Sequence, residues 1–237
     1  MIIAGPCLYT DKSEKERFLE TAEALKETVD LFRCKIWGGG TTPEKYCYGM
    51  SSNGIGLLEH IEREIMPVST EIHCLDHLFE TLQLSSIWIG ARNSQNYSLL
   101  SSLSIIKDKQ LFIKRGTGMT IDELIGIADI MRLKHGVKVS MIERGVVGID
   151  RQEFSRWSPD LKGILRLKIE RPDIFKDLVV DCSHSVGKKE YIQGTYDAFK
   201  AIGVNSFMFE CTIDGKSKTD QGHMLSVKEL ENIIKGV

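Results

Sequence analysis

The sequence lacks any apolar run approaching the roughly 18 residues that a membrane-spanning helix needs. Its apolar N-terminal run is too short for a signal peptide, because Pro6 interrupts it at once. The six cysteines include no Cys-x-x-Cys pair and no spacing typical of a disulfide framework. We therefore expect a cytoplasmic protein with no membrane partner, whose cysteines are mostly reduced and buried.

An excess of charge of one sign is also missing. The 31 Lys and Arg residues nearly balance the 33 Asp and Glu residues, so the net charge is −2. This balance argues against a broad nucleic-acid surface, and basic residues must be judged one by one. Linkers, low-complexity segments and internal repeats are absent too, and 237 residues is a typical length for one α/β barrel. We therefore predict one catalytic domain over residues 1–237, with no regulatory domain.

Short β-like runs alternate with longer runs of helical periodicity along the whole chain. Eight such alternations favour parallel strands with crossover helices that close into a single (β/α)₈ TIM barrel, an α/β fold. A doubly wound open sheet is the alternative. The predicted strands are Met1–Ala4, Leu31–Trp37, Pro67–Ile72, Ser86–Ile89, Gln110–Lys114, Val137–Ile142, Leu178–Asp181 and Ser206–Glu210.

The connections between strands carry recognisable helix starts. A capping box, in which a hydroxyl and a carboxylate three residues later satisfy the first amides of a helix, occurs three times. Residues 145–170 are predicted to be a long irregular connection, and therefore a candidate lid or interface loop. The three capping pairs are Ser13 with Glu16, Thr120 with Glu123, and Ser226 with Glu229.

Polar motifs stand where the predicted strands end, and in a barrel these ends converge on one face. One subset combines a thiol, an imidazole and two carboxylates: Cys7, His184, Glu210 and Asp220. Such a mixed donor set suits Mn²⁺, Fe²⁺, Co²⁺ or Zn²⁺ better than Mg²⁺ or Ca²⁺. Taken singly, each residue has an alternative role, such as a small core cysteine or a hydrogen-bonded histidine.

A second subset is cationic. Four positive side chains at one barrel mouth would repel each other without a counter-anion, and arginine binds phosphate and carboxylate bidentately. A phospho-carboxylate ligand is therefore plausible; the alternative is that each cation pairs with a nearby acid such as Glu71 or Glu143. The four cations are Arg33, Arg92, Lys114 and Arg144.

The motifs in order resemble the class I 3-deoxy-D-arabino-heptulosonate 7-phosphate (DAHP) synthase family and the related 3-deoxy-D-manno-octulosonate 8-phosphate synthases. The most specific piece is Ile89-Gly90-Ala91-Arg92-Asn93-Ser94-Gln95-Asn96, which is similar to the family's IGARNxQN segment. The other matching segments are Gly5-Pro6-Cys7, Lys114-Arg115-Gly116, Glu143-Arg144-Gly145 and Asp181–Gly187.

The resemblance implies a barrel that condenses phosphoenolpyruvate (PEP) with an aldose phosphate and releases inorganic phosphate, assembled as dimers or tetramers. It implies that a divalent metal (Mn, Fe, Co or Zn) acts as a Lewis acid. The metal ligands would be Cys7, His184, Glu210 and Asp220. The PEP-binding residues would be Arg33, Glu71, Arg92, Lys114 and Arg144. The catalytic roles would fall to Cys7, Lys114 and His184.

The chain departs from this family after the second strand. DAHP synthases carry a Lys-Pro-Arg-Thr motif there, and its lysine and arginine align with Gly38 and Gly40. Glu210-Cys211-Thr212 likewise replaces Glu-Val-His, and the segment to Asp220 is one residue shorter. The predicted acceptor-binding residues are Lys35, Gly38, Gly39, Gly40 and Thr41.

Three interpretations stay open at this point. The chain is a synthase with an altered acceptor, with backbone amides of the glycines or Lys35 in place of the lost cations. Otherwise it is a true DAHP synthase whose missing charges come from elsewhere, such as Lys45. Or it is a divergent paralogue that binds metal or PEP without turnover.

Overall fold

The predicted alternation of strands and helices is present in the computed structural model, which describes residues 1–38, 49–148 and 157–236. The strands are β1 (Ile2–Gly5), β2 (Leu31–Arg33), β3 (Val68–Ile72), β4 (Ser86–Ile89), β5 (Gln110–Lys114), β6 (Val139–Glu143), β7 (Val146–Val147), β8 (Trp157–Ser158), β9 (Val179–Asp181), β10 (Ser206–Thr212) and β11 (Leu225–Ser226). Parallel strands pair in the order β1-β2-β3-β4-β5-β6-β9-β10, and β10 also pairs with β1. This is the strand order of a (β/α)₈ barrel, as predicted.

Helices follow the barrel strands. The α-helices are α1 (Lys15–Leu25), α2 (Ile55–Glu64), α3 (Leu75–Glu80), α4 (Tyr97–Ser102), α5 (Ile121–Asp129), α6 (Leu161–Glu170), α7 (Pro172–Phe175), α8 (Cys182–Val186), α9 (Ile192–Ala201) and α10 (Val227–Lys235). A π-helical stretch, Ile130–Lys134, continues α5. No helix in the described part of the chain combines the length and the apolarity needed to cross a membrane.

The chain divides into two compact units, and the first comprises Met1–Ile87 and Phe209–Val237. In this unit β1 and β2 run parallel with Ile3 opposite Leu31, and β2 and β3 with Arg33 opposite Ser69. The short strand β11 lies parallel to the end of β10, with Cys211 opposite Leu225. Its strands and helices bury apolar side chains completely, among them Ile3, Phe18, Phe32, Leu58 and Ile61.

The second unit is Trp88–Met208. Here β5 and β6 pair over four residues, from Leu111 opposite Val139 to Lys114 opposite Ile142. β9 pairs with β6 on one side and with the start of β10 on the other. Fully buried Trp88, Phe112 and Met141 belong to its core. Each such side chain contributes about 1.5–3 kcal/mol by leaving water.

Three local expectations were wrong. Strand β2 ends at Arg33 rather than Trp37, and beyond it Lys35 forms an isolated parallel bridge with Leu8, through Lys35 N to Cys7 O (3.3 Å) and Tyr9 N to Lys35 O (2.9 Å). Ser13 does not cap a helix: the side chain of Asp11 accepts from the amide of Ser13 and starts a 3₁₀ turn, and α1 follows without a side-chain cap.

The third concerns residues 145–170, which are not one irregular connection. Strands β7 and β8 form an antiparallel pair, with Val146 opposite Ser158. Helix α6 then begins behind Asp160, whose side chain accepts from the amide of Gly163 at 2.8 Å. Residues 149–156 lie outside the described part of the chain. The predicted capping boxes at Thr120 and Ser226 are both present.

Candidate active site

Cys7 lies at the end of β1, where the strand approaches β2 very closely. Gly5 has a φ of +151°, and a Cβ at this position would lie 2.3 Å from the carbonyl oxygen of Arg33. Only glycine therefore permits this approach. The buried thiol of Cys7 donates to Asp220 Oδ2 at 3.2 Å, although the two residues are 213 positions apart. Two predicted metal ligands of the first unit are thus in direct contact.

Glu210 lies on β10 with no exposed surface. Its Oε1 accepts from Arg33 Nη1 at 2.6 Å, and its Oε2 is 2.9 Å from His223 Nε2. Arg33, equally buried, also donates to the backbone oxygen of Cys7 at 3.3 Å. The arginine thus compensates a carboxylate that would otherwise be a costly buried charge. The sequence predicted a contact of Arg33 with a small-molecule anion, whereas its partner within the first unit is a predicted metal ligand.

These donors form a group that can hold a metal ion. Ligand atoms of Glu210, Asp220 and His223 lie within 4.8 Å of one another, and Cys7 touches Asp220. Sulfur, imidazole nitrogen and carboxylate oxygen together fit a divalent transition metal. Burial, and next the nearby charge of Glu210, raise the pKa of the Cys7 thiol well above its usual value. The thiol therefore keeps its proton at neutral pH, and binding of a metal ion to the sulfur would release it.

Lys35 and Glu71 belong to the same electrostatic group. Burial alone would lower the pKa of Lys35, but the acidic groups of Cys7, Glu71 and Glu210 outweigh it and raise the pKa above its usual value. Lys35 is therefore a cation at neutral pH, as a replacement charge requires. Glu71, expected near PEP, lies 3.3 Å from His73 Nε2.

The predicted acceptor loop is described only at its start. Trp37, just before Gly38, is buried and stacks on His77 with ring centroids 3.9 Å apart. Burial, followed by the charge of His73, lowers the pKa of His77, so His77 is neutral at pH 7 and does not restore a lost positive charge. Gly39, Gly40 and Thr41, like Lys45, lie outside the described residues.

In the second unit, Asp181 at the end of β9 joins two predicted site residues. Its Oδ2 accepts from Lys114 Nζ at 2.7 Å and lies 2.9 Å from His184 Nδ1. A carboxylate only accepts, so Nδ1 of His184 carries the proton and Nε2 remains the ligand atom. Burial alone would raise the pKa of Asp181, but His184 and Lys114 lower it well below its usual range. The same side chain caps α8 through the amide of His184.

The other cations of the second unit have partners that the sequence did not reveal. Arg144 lies over the ring of Trp157, 4.9 Å from its centroid. Glu143, considered as a partner for a site cation, binds Arg115 at 2.8 Å, and Arg115 also binds Asp160 at 2.8 Å. Arg92 follows β4 and is exposed. Arg33 pairs with Glu210, and Lys114 pairs with Asp181.

Two residues of this site were missed by sequence reasoning. Asp181 was quoted only as part of a motif, although an acid between a strand and a helix is a regular N-cap signal. His223 had no signal of its own, because its contact with Glu210 depends on the path of the loop between β10 and β11.

Comparison with known proteins agrees with these observations. The model of the DAHP synthetase I family matches residues 1–236. A phospho-2-dehydro-3-deoxyheptonate aldolase of Thermotoga maritima is 29% identical over 229 residues, which are 92% of this chain. The chain spans 65% of the length of that relative.

Solved structures give the same result. The crystal structure of a phospho-2-dehydro-3-deoxyheptonate aldolase (DAHP synthase) from Thermotoga maritima superimposes with a TM-score of 0.85 at 27% identity, over 100% of this chain and 67% of that one. A truncated 3-deoxy-D-arabino-heptulosonate 7-phosphate synthase from the same organism gives 0.83 at 27% identity, over 100% and 84%. The chain belongs to the DAHP synthetase I family.

Proposed function

We propose that this chain is a metal-dependent synthase that condenses PEP with an aldose phosphate. The products are a 3-deoxy-2-keto sugar acid phosphate and inorganic phosphate. In this reaction C3 of PEP forms a bond to the aldehyde carbon, and the aldehyde oxygen gains a proton. Water adds at C2, and the bond from C2 to the phosphate oxygen then breaks. The known activity of the matched relatives suggests this chemistry, and the side chains of both units support it.

The metal would be held by Cys7, His184, Glu210 and Asp220. The observation that carries the proposal is the contact of Cys7 with Asp220 beside a Glu210 that Arg33 holds in place. When bound, a divalent ion of Mn, Fe, Co or Zn would polarise the aldehyde oxygen as a Lewis acid. Hydrogen bonding to Asp181 leaves Nε2 of His184 as its ligand atom.

PEP would be bound by Arg33, Glu71, Arg92, Lys114 and Arg144. A buried lysine at the end of β5 and arginines after β4 and β6 supply positive charge for the phosphate and carboxylate of PEP. Lys114 keeps Asp181 as a fixed counter-ion, so its ammonium is oriented before PEP arrives. Such preorganised charges stabilise the charge that develops as phosphate leaves.

The acceptor would differ from that of typical DAHP synthases. Losing a lysine and an arginine to Gly38 and Gly40 removes contacts worth roughly 2.7–4 kcal/mol each if they act on developing charge. Lys35 stays charged beside Cys7 and Glu71, and its ammonium group would replace part of the positive charge that the loop has lost. We assign acceptor binding to Lys35 and to Gly38, Gly39, Gly40 and Thr41. Erythrose 4-phosphate would then be a poor acceptor.

The competing function is binding of metal or PEP without turnover, and the loss of the two loop cations favours it. The intact Cys7–Asp220 and Lys114–Asp181 pairs speak against a decayed site. We further propose that residues 1–237 act as one catalytic domain of a cytoplasmic homo-oligomer.

Phosphate release from PEP and Mn²⁺ across a panel of aldoses and aldose phosphates tests the proposal. The panel includes erythrose 4-phosphate, arabinose 5-phosphate and aldehyde-free controls. We expect phosphate release that depends on one class of aldehyde. If no aldehyde in the panel causes phosphate release but PEP still raises the melting temperature, the result would support the binding function instead.

A further inference from the structure

Both oxygens of the Glu210 carboxylate are held by cationic or N–H donors of the first unit. Arg33 donates to Oε1 at 2.6 Å, and His223 Nε2 lies 2.9 Å from Oε2. A carboxylate only accepts, so Nε2 of His223 carries a proton and donates it to Oε2. Each oxygen has a second lone pair, so both can still face a metal ion.

We propose that His223 is a positioning residue that fixes Glu210 for metal binding. The inference rests on the metal site of the proposed function. The ring is bonded to Glu210 through Nε2, so the role assigned to the imidazole is to orient this ligand, and the Co²⁺ spectrum tests whether the ring itself binds the metal. Partners that orient a metal ligand typically account for 10- to 100-fold in metal affinity.

The fold holds His223 in place from both sides. Asp220 precedes a 3₁₀ turn, Gln221–His223, and adopts a left-handed conformation with φ of 51°. Met224 follows and packs in an apolar cluster with Cys7 and Leu8. The next residue, Leu225, enters β11 opposite Cys211 of β10. His223 is thus tied both to the cysteine end and to the glutamate strand of the donor group.

Position 212, two residues after Glu210 on β10, does not carry an imidazole. Residue 212 lies on the same face of β10 as Glu210, since side chains alternate along a strand. Here it is Thr212, whose hydroxyl donates to the backbone oxygen of Lys216 at 3.0 Å. Within the described residues of the first unit, the imidazole that reaches Glu210 is that of His223.

The test compares His223→Gln with His223→Asn. The glutamine amide reaches the position of Nε2 and keeps the donor, whereas the shorter asparagine does not. Both variants are polar, so their effects on folding are matched and can be followed by thermal melting of the metal-free proteins. His135→Asn, at a half-buried histidine of the second unit, controls for the loss of an imidazole outside the donor group.

Affinity for Mn²⁺ and the absorption spectrum of the Co²⁺-loaded protein are the readouts. We expect roughly 10- to 100-fold weaker binding for His223→Asn, near-normal binding for His223→Gln and His135→Asn, and the same Co²⁺ spectrum in all. Unchanged affinity in His223→Asn would overturn the inference. So would a Co²⁺ spectrum that loses a nitrogen ligand in His223→Gln, because His223 would then be a ligand. Failure of the unsubstituted protein to bind either metal would contradict the metal site itself, and hence the proposed function.

Discussion

The surroundings of Cys7 change the chemistry of its thiol. Its thiol is buried, its pKa is raised, and it donates to Asp220. Cys34 is a second buried thiol of the same unit, and burial raises its pKa to about 12. Cys34 bonds to the backbone oxygen of Lys35 rather than to a carboxylate. Burial alone therefore does not define the site; the neighbouring acids do.

Cys7→Ser should abolish tight metal binding, whereas the matched Cys34→Ser should not. A serine hydroxyl does not replace a thiolate ligand, so we expect affinity for Co²⁺ to fall by more than about 100-fold, beyond the effect of losing an outer partner. Equilibrium dialysis measures this loss. Equal metal content in the two variants would remove Cys7 from the site.

Arg92→Ala should weaken PEP binding about 10- to 100-fold, which corresponds to one charged hydrogen-bonding group. Calorimetric titration of the metal-loaded protein measures it. Arg166→Ala is the matched control, because Arg166 pairs with Asp122 and Glu170 on the exposed face of α6. If both substitutions leave PEP affinity unchanged, Arg92 has no role in binding PEP.

Helix starts show how closely competing signals can lie in a sequence. Thr120 accepts from the amide of Glu123 at 3.2 Å, and Glu123 accepts from the amide of Thr120 at 2.7 Å. Ser13 has the same spacing to an acid but lies inside a turn that Asp11 starts. Asp11, which lies two residues before Ser13, therefore provides the cap in place of Ser13.

Thr120→Ala should therefore lower the free energy of unfolding by about 0.5–2 kcal/mol, through loss of the cap of α5. Ser13→Ala should cost less, because the amide of Ser13 still bonds to Asp11. Urea unfolding of the two variants gives the comparison. A larger loss of unfolding free energy for Ser13→Ala than for Thr120→Ala would indicate that Ser13 caps a helix after all, which would contradict the structure.

The fold could be predicted from the sequence because buried parallel strands appear as short apolar runs between amphipathic helices. All eight strands were located, and Ser86–Ile89 and Gln110–Lys114 have the predicted bounds. The partners of the site residues were not predictable in the same way. The contact of His223 with Glu210 and that of Lys114 with Asp181 depend on strand register and loop path, which hydrophobic periodicity does not encode.

The stability of the whole protein should depend on pH through two buried carboxyl groups, Asp181 and Glu143, whose contributions change in opposite directions as pH rises. The pKa of Asp181 is lowered, so its contribution is present above the unfolded value of about 3.9 and is lost as pH falls below it. Burial raises the pKa of Glu143 against the effect of Arg115. The Glu143 carboxyl therefore keeps its proton to a higher pH in the folded state than in the unfolded state. Its contribution to the free energy of unfolding falls as pH rises above about 4.5.

Unfolding free energies measured in urea between pH 2 and 6 (about the range of these carboxyls) test this. In Asp181→Asn, the free energy of unfolding should fall less steeply as pH is lowered. In Glu143→Gln, the decrease of the free energy of unfolding with rising pH should disappear. Asp181→Asn should also cost about 3–5 kcal/mol at neutral pH, because it leaves Lys114 without its buried counter-ion. Slopes that match those of the unsubstituted protein would contradict the assigned pKa directions.

The proposed reaction forms a carbon–carbon bond between PEP and an aldehyde. Carbon-13 NMR of a reaction containing PEP labelled at C3, Mn²⁺ and the aldehyde panel tests it most directly. We expect the labelled vinyl carbon to become a methylene of a 3-deoxy sugar acid while phosphate is released. A labelled methyl group of pyruvate, appearing with or without aldehyde, would show hydrolysis of PEP and would exclude the proposed condensation.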